Sequence, residues 1–271
     1  MPRKFSTAKR IGLFFRGLTS AFRSEPEFII AGVQKGGTTS LFAYLDQHPS
    51  LKLSRPKEVH FFDDRYEKGM AYYRRFFPLK IFGKRTGEAS PFYIFHPHVA
   101  KRIKRELPNC KIIIVLRNPI LRAYSHYQME CRQGNENLKT FEEAIDAEHG
   151  RLKGELDKIL ADENYFSVPY RSFSYASRGM YAPQVKQWID IFGKSQIHFI
   201  KSENLLAKPE EELKKVYTFL ELKQVLPLSL SKKHVHNYPE INKETLEKLK
   251  VKFENDQKEL TKLIGGDFSW F

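Results

Sequence analysis

The sequence predicts an α/β fold, a central parallel sheet flanked by helices. "FIIAGV" at 28–33 and "CKIIIVLR" at 110–117 are continuous, β-branched apolar runs of strand length, as strands covered on both faces require. Each is followed at once by a segment of helical periodicity. Strand-like and helix-like segments then alternate along the chain, the pattern of a doubly wound sheet.

In chain order, residues 1–25 stand apart from a single large domain at 26–271. Ile11, Phe14, Phe15, Leu18 and Phe22 fall on one helical face, Lys9, Arg10, Arg16 and Arg23 line the rest, and no acid precedes Glu25. Such a basic amphipathic helix can lie on an anionic membrane, serve as a transit peptide or pack on the domain. A helix is expected over 38–47, a short strand in "SLKL" (50–53) and a helix in "HVAKRIKREL" (98–107). "PILRAYSHYQMECRQ" begins a helix on proline, and Thr140-x-x-Glu143 is a capping box. "GMYAPQVKQWIDIF" is helical despite Pro183, "QIHFIKSENL" supplies a late strand, and 209–222 and 242–264 are helices.

Composition narrows the class. The 271 residues carry a net charge of +14, with 46 Lys and Arg against 32 Asp and Glu. That favours an anionic partner: nucleic acid, acidic lipid, an acidic glycan or a phosphate-rich cofactor. Much of the charge, however, sits in mixed-sign helical stretches such as 244–263 that read as solvated faces. Basic residues are not interleaved with aromatics, and no helix-turn-helix or zinc signature is present, so nucleic acid is not expected. Cys110 and Cys131 form no metal-ligand spacing and fit a reducing compartment. No run reaches a membrane span. The expected location is cytoplasmic, possible membrane contact being peripheral and through residues 1–25.

The segment after the first strand, "QKGGTTS", has the parts of a phosphate cradle. Gly36 and Gly37 let backbone N–H groups close on an anion. The helix starting near Thr38 adds its positive end, and Lys35, Thr38, Thr39 and Ser40 add a charge and hydroxyl donors. The order is reversed from GxxxxGK[ST]. The second strand ends in Arg117, where a nucleotide triphosphatase would need an acid for magnesium. Arginine there suits a second phosphate and no metal.

These two segments, about 80 residues apart, resemble those of the PAPS-dependent sulfotransferases, most closely the heparan sulfate and glycosaminoglycan branch. The resemblance implies a P-loop-NTPase-like sulfotransferase fold over 28–271. It implies that "GVQKGGTTSLFAYLDQHP" binds the 5′-phosphosulfate of 3′-phosphoadenylyl sulfate (PAPS) and that Arg117 and Ser125 bind its 3′-phosphate, with PAP as product. "RPKEVHFFDDRYEKGMAYYRRFFP" is similar to the acceptor-side loop and places the catalytic glutamate on Glu58, with His60 and Asp63 beside it. The closing "GGDFSWF" is similar to the family's C-terminal end. The chain departs from the branch in having Glu88-Ala89 for Glu-Lys, and "KKHVHNYP" for the late cofactor-closing motif. Lys232, Lys233 and His236 are the candidates to replace it.

Sulfuryl transfer is in-line displacement at sulfur, and positioning with fixed donors can manage its charge without a metal. Lys35 would neutralise the leaving phosphate. Glu58 is the candidate general base, given burial by Phe61 and Phe62, and His60 is its rival. If "EVHFFD" is extended, Glu58, His60 and Phe62 share a face. Arg122 reads equally as a helix-surface charge or a phosphate contact. His96 and His98 are weak metal candidates, and Trp188 and Trp270 read as core. The expected acceptor is a carbohydrate or glycolipid hydroxyl; a small-molecule hydroxyl or amine, a P-loop kinase and a non-enzymatic polyanion-binding module are the alternatives.

Overall fold

The computed structural model describes residues 7–231, 239–266 and 268–271, with side chains in the first helix from residue 12 onward. Its centre is a four-stranded parallel sheet in the order β2-β1-β3-β4, formed by β1 (Phe28–Gly32), β2 (Gly87–Ala89), β3 (Lys111–Leu116) and β4 (Ile197–Lys201). β1 and β3 alternate side chains between two cores. Ile29, Ala31, Ile112, Ile114 and Leu116 join one, and Phe28, Ile30, Ile113 and Val115 join the other. Both faces are therefore covered, which is why these strands read as unbroken apolar runs.

The first core lies under α3 (Phe61–Asp64), α4 (Gly69–Arg74), α5 (Val99–Glu106) and α10 (Tyr181–Phe192), with Trp188 fully buried. The second lies under α2 (Thr38–Leu45), α11 (Ser202–Ala207) and α12 (Pro209–Leu220). A third apolar cluster joins α6 (Pro119–Arg132), α7 (Phe141–Leu152) and α13 (Lys243–Ile264). The short α8 (Glu155–Ala161) and α9 (Val168–Ser172) follow α7, and Val168, Arg171 and Ser172 of α9 line the same cleft as the loops that leave β1 and β3. The first helix, α1 (Thr7–Leu18), packs beside α4.

Local signals work as expected at several ends. Thr140 and Glu143 form the reciprocal capping box, and Asn118 Oδ1 accepts from the N–H of Ile120 and Leu121 with Pro119 in the first turn of α6. Pro183 is tolerated because it is the third residue of α10, where a helix has no partner for the N–H it lacks. The first two amides of α10 donate instead to Asp256 of α13, at 2.7 and 3.0 Å.

One strand expectation fails, and another holds over a shorter span. Residues 50–53 form no strand; Leu51 makes a single bridge to Arg85, and the edge strand is Gly87–Ala89, three residues whose full burial leaves no alternation to detect. The late strand ends at Lys201, and "SENLLA" turns into α11.

The sheet order explains where a ligand binds. From β1 the chain goes to β2 on one side, then crosses to β3 on the other, so the connections diverge between β1 and β3. Open parallel sheets bind ligands in the crevice at such a switch point, beyond the carboxyl ends of the strands. The loops leaving β1 and β3 hold Lys35 and Arg117.

Candidate active site

A cleft of about 1290 Å³ opens at that switch point. Lys35, Gly37, Thr38, Thr39 and Ser40 line it from the first loop and the start of α2, and Arg117 and Ser125 from the second loop and α6, together with Glu58 and His60. The two phosphate-binding candidates and the candidate base therefore share one cleft.

The β1–α2 loop is held in an unusual backbone conformation. Lys35 has φ 69° and Gly37 φ 94°, both left-handed. A non-glycine residue held there is a local strain of the kind that accumulates at functional sites. Gly36 acts differently from the sequence expectation. Its N–H donates to the Val33 carbonyl at 2.9 Å and so is engaged within the turn. Its contribution is steric, since a Cβ would fall 2.7 Å from the Val115 carbonyl oxygen. Gly36 thus lets the loop lie against β3. Gly37 caps α2 without a side chain, leaving the first-turn amides of that helix to an outside acceptor.

The opposite wall is tied to this loop. Arg117 donates from Nη1 to the Lys35 carbonyl at 2.8 Å, and the Tyr181 hydroxyl donates to the Arg117 carbonyl at 2.9 Å. Burial, and then the positive charges of Arg132 and Arg117, pull the Lys35 ammonium down to about 8. Like charges crowded around a cleft are mutually costly, and an anion between them removes the cost. Arg122 meets neither expectation. It is fully buried and its guanidinium donates to the Tyr175 carbonyl, inside the third core.

The acceptor-side loop is not extended. His60 is left-handed, with φ 51°, and Phe61 starts α3. Phe61 and Phe62 point into the first core against Tyr73 and Tyr93. The kink nevertheless brings Glu58 and His60 together. Glu58 Oε2 lies 3.3 Å from His60 Nε2, and His60 Nδ1 lies 2.8 Å from Asp63 Oδ2. Burial opposes charge on the imidazole, but the Asp63 charge and the hydrogen bonds to Asp63 and Glu58 outweigh it and raise His60 to about 9. His60 is therefore an imidazolium at neutral pH and not a free base. Burial would raise Glu58, but the hydrogen bond from His60 and the charge of Lys57 hold it well below the usual carboxylate range. Glu58 is thus ionised, with its side chain 35% exposed to the cleft.

Three residues at this site escaped the sequence reading. Lys57 donates from Nζ to Thr39 Oγ1 and to Glu58 Oε1, both at 3.0 Å, so it joins the phosphate loop to the candidate base. Its signal was its position, adjacent to Glu58. Arg171 arrives from α9, 3.1 Å from His60 Nδ1 and 2.5 Å from Asp64 Oδ1. Its guanidinium supplies positive charge among His60, Asp63 and Asp64, three side chains whose ligand atoms lie within 4.8 Å of one another. Nothing local in the sequence marks Arg171. The third is Glu88, fully buried in β2. It accepts from the hydroxyls of Tyr73 (2.7 Å), Ser90 (2.8 Å) and Tyr93 (3.1 Å). Ser90 Oγ in turn accepts the amides of Val59 and His60, and the Tyr93 hydroxyl those of Phe61 and Phe62. The backbone carrying Glu58 and His60 is therefore suspended from one buried carboxyl, which burial raises to about 7 despite its hydrogen bonds.

His98 bonds the Ile159 carbonyl at 2.8 Å and His96 is buried beside it. Trp270 packs on Tyr181 and donates to Glu203 at 3.0 Å. Lys232, Lys233 and His236 lie outside the described residues.

The chain is similar to known proteins in sequence and fold. The family model described as "Sulfotransferase domain" matches residues 25–268. The chain is 29% identical to human (Homo sapiens) heparan sulfate glucosamine 3-O-sulfotransferase 3B1, over 96% of this chain and 68% of that protein. It is 24% identical to the membrane-associated sulfotransferase kil1 of Dictyostelium discoideum, over 90% of this chain and 66% of that one. Among solved structures, the sulfotransferase from Alicyclobacillus acidocaldarius superposes with a TM-score of 0.74 at 32% identity, covering 90% of this chain and 98% of the other. A parallel sheet with a cationic cleft at its switch point, and likeness along nearly the whole chain, lead to one conclusion: the protein belongs to the sulfotransferase family.

Proposed function

We propose that this sulfotransferase moves the sulfuryl group of PAPS to a hydroxyl of a carbohydrate or glycolipid, with Glu58 as general base. The observation that carries the reading is the convergence of the Lys35–Ser40 loop, Arg117 with Ser125, and Glu58 on one cleft. The donor set suits a molecule phosphorylated at both ends of an adenosine. Lys35 and the first-turn amides of α2 would hold the 5′ end, Arg117 and Ser125 the 3′-phosphate. When bound, PAPS supplies an electrophilic sulfuryl group on a phosphate leaving group.

The chain's own residues prepare the acceptor. Glu58, ionised and partly exposed, takes the hydroxyl proton at a carboxylate oxygen. Lys57 is shared between Thr39 and Glu58, so an anion seated on the loop competes for its ammonium. Drawing Lys57 away removes one of the charges that depress Glu58 and makes it a stronger base once the donor site is filled. His60, fixed by Asp63, keeps Glu58 oriented. The surplus of positive charge and the likeness to a heparan sulfate enzyme support a sugar acceptor.

The test is thermal unfolding with PAP in magnesium-free buffer. Ligand at about 100 times its Kd adds about 2.7 kcal/mol to the stability of the native state, a shift of several degrees. No shift at millimolar PAP refutes the donor assignment. Labelled PAPS screened against glycans, glycolipids and phenols then decides the acceptor; transfer only to phenols or amines refutes the carbohydrate reading.

A further inference from the structure

The first helix is docked to the globule the wrong way round for a packing element. Leu13 enters the core, and Gly17 lies against Arg75, where a Cβ would fall 2.8 Å from the guanidinium. The apolar stripe faces outward instead. Phe14, Phe15, Leu18 and Phe22 are 62–70% exposed. Four large apolar side chains displayed within nine residues are an interaction surface, not scattered exposure.

Arg16 and Arg23, which the sequence placed off the apolar face, turn inward. Arg16 Nη2 and Arg23 Nη1 both donate to the Phe77 carbonyl, at 2.7 and 2.8 Å. They line a cavity of about 270 Å³ together with Lys52 and Arg55. Four of its nine lining residues are cations and none is acidic. Arg55 has an outside partner in Asp46, at 2.6 Å, whereas the Lys52 ammonium rests over the Phe82 ring, 4.1 Å from its centre. Phe82 is both a wall of this cavity and 49% exposed, and its neighbour Ile81 is 82% exposed. Burial, and for Arg16 also the charge of Arg23, lowers the affinity of these guanidinia for their protons. Their acceptors, the carbonyls of Phe77, Arg75 and Arg16 and the Thr19 hydroxyl, carry no net charge and do not neutralise two cations; an anion does.

We propose that this face seats on an anionic lipid bilayer, with Phe14, Phe15, Leu18 and Phe22 in the acyl–headgroup boundary and the Arg16–Arg23–Lys52–Arg55 cavity holding a lipid headgroup. Exposed apolar side chains together with a cavity whose charged residues are all cations match the two layers of a bilayer surface, apolar chains under negative headgroups. This surface is built from α1, the following turn and residues 52–82, and is independent of the transfer reading.

The probe is co-sedimentation of the full chain with phosphatidylcholine vesicles, with and without about one third phosphatidylserine. Wild type is expected to bind the anionic vesicles at least about tenfold better than the neutral ones. Phe14→Ser with Phe15→Ser should weaken partitioning by about tenfold or more, and Lys52→Glu by about fivefold or more. These side chains are exposed, so both variants should keep the wild-type melting temperature and PAP response. Wild type remaining in the supernatant, or binding both vesicle types equally, overturns the proposal. So does a double serine variant that still binds the anionic vesicles like wild type, which would mark general attraction to the +14 surface.

Discussion

Replacing Glu58 by Gln separates base chemistry from donor binding. The amide oxygen can still accept from Lys57, which lies 3.0 Å from Oε1. The amide nitrogen then faces the His60 Nε2 proton across 3.3 Å, two donors opposed. Loss of the carboxylate removes one of the hydrogen bonds that raise His60, so its pKa should fall from about 9. Loss of a positioned general base costs about 10²–10⁴ in turnover, or about 3–5 kcal/mol in the barrier. The donor groups Lys35, Arg117 and Ser125 belong to other segments, so the PAP-induced melting shift should stay. Transfer from labelled PAPS gives kcat, and histidine NMR gives the His60 titration. Near-normal turnover would move the base elsewhere. Loss of turnover together with the PAP shift would show that the substitution broke the donor site, and would refute the division of roles argued above.

Other outcomes follow from the same contacts. Lys35 titrates at about 8 in the free cleft, so the ammonium is present below that pH and lost above it. PAP affinity should fall by up to about tenfold per pH unit above pH 8, while Lys35→Arg, whose charge persists, should show no such slope in calorimetric titrations. Gly36→Ala drives a Cβ to 2.7 Å from the Val115 carbonyl. It should cost about 1–3 kcal/mol in denaturant unfolding and abolish the PAP response, although the Gly36 amide is not a free donor. Glu88 has a folded pKa of about 7, above the ordinary carboxyl value of 4.5. The folded state therefore holds its proton more tightly, and this contribution is full below about pH 4.5 and lost as the pH rises through 7, on the order of 2–3 kcal/mol. Urea midpoints at pH 5 and 8 should converge in Glu88→Gln relative to wild type; an unchanged difference would remove Glu88 as the cause.

Much of the candidate donor half of the site was legible in the chain itself. A buried strand, a glycine turn, a lysine and a helix start are local signals, because adjacent residues cannot be far apart in space. Hence the 28–45 segment and the strand ending at Arg117 read correctly in type and order. The edge strand Gly87–Ala89 did not, since a three-residue strand buried on both faces has no periodicity. The acceptor half was legible in composition but not in shape. Glu58 and His60 converge through a left-handed kink at His60, not through an extended face, and the aromatic pair that follows serves the core.

By itself, then, the sequence determined the sheet-building segments, the glycine-rich loop between β1 and α2 and the charged types that gather at the cleft, because these depend on neighbours along the chain. Only the tertiary structure decided which of them meet. The strand order puts Lys35 beside Arg117, a helix more than 100 residues away sets Arg171 against His60, and a buried carboxyl in β2 suspends the loop that carries Glu58 and His60. It also decided that Arg122, Arg16 and Arg23 turn inward while Phe14, Phe15 and Phe22 turn out. Whether a charge is exposed, paired or buried depends on what packs over it, and that is settled by contacts between segments that no local pattern encodes.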